Sequence, residues 1–313
     1  MHVDTTDLRL LRIFLTIAES GGFAAAQGEL NLSLPTISSH MATLESRLGL
    51  TLCRRGRGGF ALTTEGNAVY EEARHLFQAL DRFEQRARAL RNRLSGTLTL
   101  GVVDNTITDP NLPLEAVFAR FAQEAPEVVV SITTRPPSEL LRDVVSRQLQ
   151  IAIGSFPRIA LGLDYTDLHT ERQNLYCGRR HPLFDTDDAD ITVELAREHR
   201  IVARSYWGMR DMKLFAIAAP RAVVSDMEST ARLILSGAYL GYLPDHYAAA
   251  DTAAGRLRPI RPDLFGVKAL FQAATAPEAR EEPIVALFLN LLAAEMRGAG
   301  VSPAAASPPR PAQ

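Results

Sequence analysis

A single apolar stripe constrains this chain more than any other sequence feature. From Val69 to Leu94, apolar residues recur at alternating steps of four and three. This spacing keeps side chains on one face of an α-helix and is typical of a coiled-coil seam. A helix over residues 64–93 is about 45 Å long at 1.5 Å per residue, and packing against one small domain explains so narrow a stripe poorly. The stripe predicts dimerisation through these residues: Val69, Ala73, Leu76, Leu80, Phe83, Ala87 and Leu90.

Residues 33–48 predict a helix with one small, polar face. Ser33 is a suitable N-cap, and Pro35 is tolerated in the first turn because its missing N–H has no partner there. The apolar residues recur at helical spacing and predict a buried side: Ile37, Met41, Leu44 and Leu48. The opposite face is almost uncharged, whereas a surface helix normally carries charged residues there. We interpret it as a helix that enters a DNA major groove.

Two shorter segments precede this helix. Residues 7–20 predict an amphipathic helix that ends at Gly21-Gly22, and residues 23–30 predict a second, short helix. Two short helices joined by a brief turn, the second with a small polar face, are typical of a helix-turn-helix motif. A three-helix structural bundle is the alternative.

Residues 50–63 predict a β-hairpin with a basic tip. Apolar and polar residues alternate on both sides of the sequence RRGRGG, which begins at Arg54. A short cationic hairpin beside a recognition helix is a wing, and its arginines contact phosphates beside the groove. A solvated basic turn is the alternative interpretation.

Beyond Ser95-Gly96, which we expect to form a hinge, the pattern changes. Strands alternate with helices from Thr97 onward, which indicates an α/β domain with a mostly parallel sheet. The last residues, 298–313, are rich in Pro and Ala and lack a core pattern, so we expect a disordered tail.

Composition narrows the function. The net charge is −2 with 22% charged and 46% hydrophobic residues, as in an ordinary globular protein and unlike one that coats nucleic acid. The two cysteines, Cys53 and Cys177, are expected to be buried apolar residues in a reducing cytoplasm, with a redox switch as the alternative. We see no signal peptide, membrane span, metal-ligand spacing, P-loop or nucleophile elbow. No cofactor, metal or enzymatic activity is therefore expected.

In combination, these segments resemble the LysR-type bacterial transcriptional regulators over nearly the whole chain. The match is carried by LRLLRIFLTIAESGGFAAAQGELNLSLPTISSHMATLESRLGLTLCRR, FALTTEG, GTLTLGV, IAIG, HPLF and AVVSDMESTARLILSGAYLGYLP. The resemblance implies a multi-domain protein: an all-α winged helix-turn-helix with a long linker helix, then a periplasmic-binding-protein-like effector domain of two Rossmann-like α/β subdomains. It also implies four partners: double-stranded DNA, a small-molecule effector, further copies of the chain as a homodimer or homotetramer, and RNA polymerase.

The resemblance also implies domain boundaries. We expect the DNA-binding domain at 1–63, the linker helix and hinge at 64–95, effector subdomain I at 96–164 plus 268–297, and subdomain II at 165–267. The chain then crosses between the two effector subdomains twice. This arrangement places a cleft between two α/β lobes.

Carried across position by position, the resemblance assigns DNA contacts to eight residues: Ser33, Leu34, Pro35, Thr36, Ser38, Ser39, Arg54 and Arg55. Leu34 stands where the family often has Gln, and Ser39 stands where Arg is frequent. Gln can bond adenine bidentately, whereas Leu offers only an apolar contact. We therefore expect modest direct readout and more reliance on the wing, DNA shape and dimer spacing.

The cleft between two α/β lobes is the expected effector site, with polar groups at the strand ends. The candidate residues are Asp104, Asn105, Thr106, Ser155, Phe156, Arg204, Tyr206, Trp207, Ser225, Met227 and Glu228. Arg204 favours a carboxylate ligand, whereas Asp104 opposes one, pairs with Arg204 or binds an amine. The charge of the ligand stays open. Two alternatives remain: a ligand-independent repressor, and a helix-turn-helix fused to an enzyme.

Overall fold

The computed structural model describes residues 4–56, 59–89, 94–208, 210–217 and 219–301. The chain divides into two compact units, Met1–Glu84 and Gln85–Gln313. Most of the predicted disordered tail, from residue 302 onward, lies outside the described residues. Among the helices of the described ranges, none has the length and apolarity needed to span a bilayer.

The first unit contains the predicted helices and hairpin. Its elements are α1 (Thr5–Glu19), α2 (Ala26–Leu30), α3 (Leu34–Leu48), β1 (Cys53–Gly56), β2 (Gly59–Leu62) and α4 (Thr64–Ala89), which continues past residue 84. The second helix is shorter than predicted, because residues 20–25 form turns. Gly21 and Gly22 both have positive φ there, and the Gly22 N–H donates to the Ile17 carbonyl, which ends α1.

The apolar stripe of α3 is buried, as predicted. Ile37, Met41 and Leu44 are fully buried and belong to one core cluster with Phe14 and Ile17 of α1. Thr63 caps α4, because its Oγ1 accepts the Gly66 N–H at 2.8 Å. Together these contacts connect the helix-turn-helix, the hairpin and the start of α4 around one core.

The predicted dimer seam on α4 needs a correction. Ala73 is only 3% exposed and lies inside the core of the first unit, and Val69 and Leu76 pack against that same core. The first half of the stripe is therefore covered within its own domain, although the narrow spacing favoured a contact with a second copy of the chain. Leu80 and Phe83 are 37% and 71% exposed. The side chain of Ala87, and all of Leu90, lie outside the described part of the chain.

The second unit alternates strands and helices. Its strands are β3 (Ser95–Val102), β4 (Glu127–Thr134), β5 (Ile151–Ser155), β6 (Asp164–Gly178), β7 (Val202–Arg204), β8 (Ala222–Val224), β9 (Leu240–Pro244), β10 (Leu257–Ile260) and β11 (Val267–Thr275). Its helices are α5 (Leu114–Glu124), α6 (Pro137–Val145), α7 (Val193–Arg197), α8 (Arg210–Lys213), α9 (Met227–Leu235), α10 (Asp245–Ala253), α11 (Pro262–Phe265), α12 (Pro277–Arg280) and α13 (Pro283–Gly298). Ser95 and Gly96, expected as a hinge, belong to β3 and pair with β4.

The main sheet is mixed, so the expectation of a mostly parallel sheet is wrong. Its strands follow the order β10-β6-β11-β5-β3-β4, and β9 also pairs with β6. Strand β3 pairs in parallel with β4 and β5, whereas β6 and β11 run antiparallel to each other and to their other neighbours. Because β6 and β11 are long and adjacent, one continuous sheet joins both ends of the unit. A separate parallel pair is formed by β7 and β8.

Two regions of this unit have their own cores. One core joins residues of β3, β5, α5, α6 and α13, with Phe121 and Phe288 at its centre. The other region, built from β6, β9 and the elements between them, contains two clusters, which include Phe215 and Ile234 respectively. The predicted subdomain boundaries stay a prediction, supported by these separate cores.

Both cysteines are buried thiols that form no disulfide in the described part of the chain, as expected for structural residues. Burial raises the pKa of the Cys177 thiol to about 12, and that side chain is fully buried. A thiol with so high a pKa holds little thiolate at neutral pH, and thiolate is the reactive form. Cys177 is therefore an apolar core residue in this structure.

Candidate functional site

The start of α3 presents a small, accessible surface. The Ser33 Oγ accepts the Thr36 N–H at 3.4 Å and lies 2.8 Å from the Thr36 Oγ1, as expected for an N-cap. Leu34 is 40% exposed, Pro35 and Ser39 are also exposed, and Thr36 and Ser38 are half-buried. All six candidate DNA-contact positions on this helix therefore have accessible surface.

An ion pair that sequence reasoning missed holds α3 against α1. The Arg47 guanidinium donates to the Asp7 carboxylate through Nε and Nη2, and its Nη2 also donates to Asp4 Oδ2 at 2.9 Å. The hydrogen bond from Arg47 is the main reason that the pKa of Asp7 is lowered. Asp7 has no exposed surface, so its side of the ion pair is buried. The pair joins the last turn of α3 to the first turn of α1.

The wing is anchored to the same helix. The Glu45 Oε1 of α3 accepts the Leu52 N–H at 2.7 Å and the Cys53 N–H at 3.4 Å. Strands β1 and β2 pair with Arg54 opposite Ala61, which confirms the predicted hairpin. Arg54 is exposed, whereas the side chain of Arg55 lies outside the described part. The wing and the recognition helix thus share a direct polar connection.

A cavity lies in the second unit among the ends of its strands. It contains about 360 Å³ of space, part of it open to solvent. Its lining residues are Val103, Asp104, Pro137, Ser155, Glu171, Gln173, Tyr206, Trp207, Met227, Pro244 and Phe271. The lining comes from the residues after β3, from strands β5, β6, β9 and β11, from the turn after β7 and from the starts of α6 and α9. The cavity thus has the composite construction expected of a ligand site.

Five of the predicted effector residues line this cavity: Asp104, Ser155, Tyr206, Trp207 and Met227. The other six are not part of its lining: Asn105, Thr106, Phe156, Arg204, Ser225 and Glu228. Phe156 is buried and its ring packs at 6.1 Å from that of Tyr165, whereas Ser225 and Glu228 are exposed. A position after a strand end therefore did not suffice to predict a cavity residue.

The prediction that Arg204 faces a ligand is wrong, because the structure gives this side chain internal partners. Only 1% of Arg204 is exposed, and its Nε and Nη2 donate to the Asp211 carboxylate at 3.0 and 2.6 Å. Its Nη1 donates to the Gln173 Oε1 at 2.8 Å. The guanidinium also lies 4.4 Å from the centre of the Trp207 ring. Arg204 thus contacts the cavity residues Gln173 and Trp207 but does not itself line the cavity.

Sequence reasoning missed Glu171 and Gln173, which lie on β6. Together with His169 they occupy alternate positions of the strand, and all three are at most 5% exposed. The Gln173 amide donates to Glu171, whose Oε1 lies 3.1 Å from the His246 Nε2. A period of two in buried polar residues is a signal that could have found them, but a run of polar residues does not show from sequence alone that a strand is buried.

A second polar group lies beside the cavity. Asp109, Glu171 and His246 offer oxygen and nitrogen atoms within 4.8 Å of one another, a spacing that could hold a metal ion. Each already has a hydrogen-bond partner, however: Asp109 lies 2.7 Å from the His169 Nε2, and the His246 Nδ1 lies 2.8 Å from the Thr108 Oγ1. These internal bonds account for the cluster without a bound ion.

The two units define a class of protein: a winged helix-turn-helix followed by a long helix and by an α/β domain that contains a cavity. The second unit matches the family model described as LysR substrate binding domain over residues 91–297. The first matches the model described as bacterial regulatory helix-turn-helix protein, lysR family, over residues 8–67. The chain belongs to the LysR family of bacterial transcriptional regulators, with a DNA-binding and an effector-binding domain.

Individual relatives agree with this assignment. The chain is 38% identical over 299 residues to the HTH-type transcriptional activator BauR of Pseudomonas aeruginosa, covering 93% of this chain and 96% of that protein. Its fold is similar to that of full-length CbnR complexed with its target DNA, at a TM-score of 0.62 and 23% identity, covering 92% and 99% of the two chains. It is also similar to LysG from Corynebacterium glutamicum with bound effector Arg, at a TM-score of 0.56, 17% identity and coverages of 93% and 98%.

Proposed function

We propose that this chain binds DNA as a dimer and that a small-molecule effector in the cavity controls the DNA-bound oligomer. The observation that carries the proposal is the presence, in one chain, of an accessible winged helix-turn-helix and a cavity lined by aromatic and acidic side chains. From the family we also propose that the chain forms a homotetramer on DNA and contacts RNA polymerase.

The proposed DNA contacts come from α3 and the wing of each copy: Ser33, Leu34, Pro35, Thr36, Ser38, Ser39, Arg54 and Arg55. The accessible surface of α3 and the exposure of Arg54 support this assignment. Hydroxyl groups and an exposed Leu34 suit close approach to base edges and thymine methyl groups, whereas the wing arginines suit phosphates. Selectivity then depends strongly on the separation of two such helices.

The proposed effector contacts are the polar and aromatic residues of the cavity: Asp104, Ser155, Glu171, Gln173, Tyr206, Trp207 and Met227. We further propose that the chain acts by binding without catalysis and works in the bacterial cytoplasm, where its DNA partner lies. The names of its relatives support the first point, since they describe regulators and activators of transcription.

The dimer is tested by placing acidic residues in the exposed half of the α4 stripe. We expect the double substitution Leu80→Asp and Phe83→Asp to weaken self-association and DNA binding at least roughly tenfold, because unpaired charges then enter an apolar contact. Sedimentation and DNA titration of the full chain measure both effects. The control is His75→Asp, an exposed position of the same helix away from the stripe. Dimers of unchanged strength in the double variant would rule out this seam.

A further inference from the structure

The charge of the cavity lining limits what the cavity can bind. Two carboxylates line it, Asp104 and Glu171, and no Lys, Arg or His belongs to its lining in the described part of the chain. Burial is the main cause of the raised pKa of Asp104, and the nearby carboxylates of Asp226 and Glu171 add to it. The negative charges of the cavity are therefore poorly balanced by the protein itself.

The start of α9, which borders the cavity, has donors that would suit an anion. Side chains of the protein already use two of them. The Met227 N–H donates to Asp104 Oδ2 at 2.6 Å, and the Ser229 N–H donates to Asp226 Oδ1 at 2.7 Å. An anionic ligand at this helix end has to displace the Asp104 carboxylate and then face Glu171.

Arg204, which lies against the cavity residue Trp207, does not neutralise these carboxylates. Its guanidinium donates two hydrogen bonds to Asp211, which balances its charge. His246 contacts Glu171 through Nε2 and Thr108 through Nδ1.

The rest of the lining suits an organic cation. Tyr206, Trp207 and Phe271 supply aromatic surface, and aromatic faces attract ammonium groups. Aromatic walls and two carboxylates thus line one space, part of which is open to solvent.

We propose that the effector is a small organic cation whose primary ammonium group binds between Asp104 and Glu171. This inference rests on the proposed function, because it takes the cavity as the effector site. The ammonium replaces the balancing charge that the protein lacks, and its donors match the carboxylate oxygens of the two residues. The aliphatic part of the ligand lies against the aromatic walls.

The test uses the fluorescence of Trp207, the only tryptophan of the chain. The full-length protein is titrated at neutral pH and constant ionic strength with propylamine, diaminopropane, propionate and MgCl2. We expect a saturable change with the two amines and none with propionate or MgCl2. Asp104→Asn and Glu171→Gln should each weaken amine binding roughly tenfold or more, as expected for a lost charged hydrogen bond. The control Glu194→Gln removes an exposed carboxylate of α7 and should bind amines like the wild type.

Each other outcome overturns the proposed ligand class. Saturable binding of propionate without amine binding would show that the cavity binds an anion. The cavity would then still be the effector site. A response to MgCl2 alone replaces the organic cation with a metal ion at Asp109, Glu171 and His246. If no probe changes the fluorescence, the proposal of an organic cation is rejected. If DNA binding is then also insensitive to small molecules, the ligand-independent repressor is favoured over the proposed function.

Discussion

Replacement of Asp211 by alanine is expected to destabilise the effector-binding domain by about 3–5 kcal/mol, the usual effect of leaving a buried charge without its partner. Arg204 is 1% exposed, and Asp211 accepts hydrogen bonds from its Nε, its Nη2 and its backbone N–H. In the variant the guanidinium loses its carboxylate partner and keeps the hydrogen bond to the Gln173 Oε1. Urea unfolding followed by Trp207 fluorescence reports on this domain, because the ring lies against Arg204.

An exposed ion pair provides the control for this measurement. Glu228 and Arg232 pair across one turn of α9, with 68% and 76% of their side chains exposed. Because water screens such a pair, Glu228→Ala should change the unfolding free energy by less than about 1 kcal/mol. If Asp211→Ala has an equally small effect, Arg204 is not a structural cation, and its earlier assignment as a ligand-binding residue becomes possible again.

Replacement of Ser39 by glutamate is expected to lower DNA affinity about a hundredfold. Ser39 is exposed on α3, so the new side chain stays out of the core, and in the proposed complex it faces the DNA. Its charge repels phosphates at both recognition helices of a dimer, and a penalty of about 1.4 kcal/mol at each helix multiplies to this factor. Glutamate has a good helix propensity, so α3 should keep its structure. Titration of a bound DNA fragment at fixed salt measures the change.

The matched control for Ser39→Glu carries the same charge change elsewhere. Gln123→Glu adds one acidic residue at an exposed position of α5 in the effector-binding domain. Its DNA affinity should stay within about twofold of the wild type, since exposed charges farther apart than a Debye length of about 10 Å are largely screened. Equal losses in the two variants would mean that net charge alone governs binding and that α3 has no special position.

Local patterns predicted much of the DNA-binding unit. The cap at Ser33, the buried stripe of α3 and the hairpin after Leu50 follow from spacing and turn chemistry within one segment. The sequence did not predict which residues of the α4 stripe are buried within their own domain, because the same apolar spacing suits packing against a domain and packing against a second helix. Only the fold shows that Ala73 faces its own core while Phe83 does not.

The effector cavity was harder to predict because its lining comes from segments far apart in the chain. Residues after strand ends were found where the strand itself was recognised, as with Asp104 and Ser155. Glu171 and Gln173 were missed because they lie within β6, a long crossover strand whose first half looks polar in sequence. The partner of Arg204 lies in a helix of four residues, α8, too short for periodicity to reveal.

A dimer that places two α3 helices on DNA is tested most directly by sequencing the genomic DNA fragments that the purified full-length protein retains at physiological salt. We expect enrichment of a two-fold symmetric motif, with half-sites separated by about one helical turn or a whole number of turns. The same experiment with Ser39→Glu should enrich no motif. Retention of fragments without a shared symmetric sequence, or equal enrichment by the variant, would contradict a dimer that places two α3 helices on DNA.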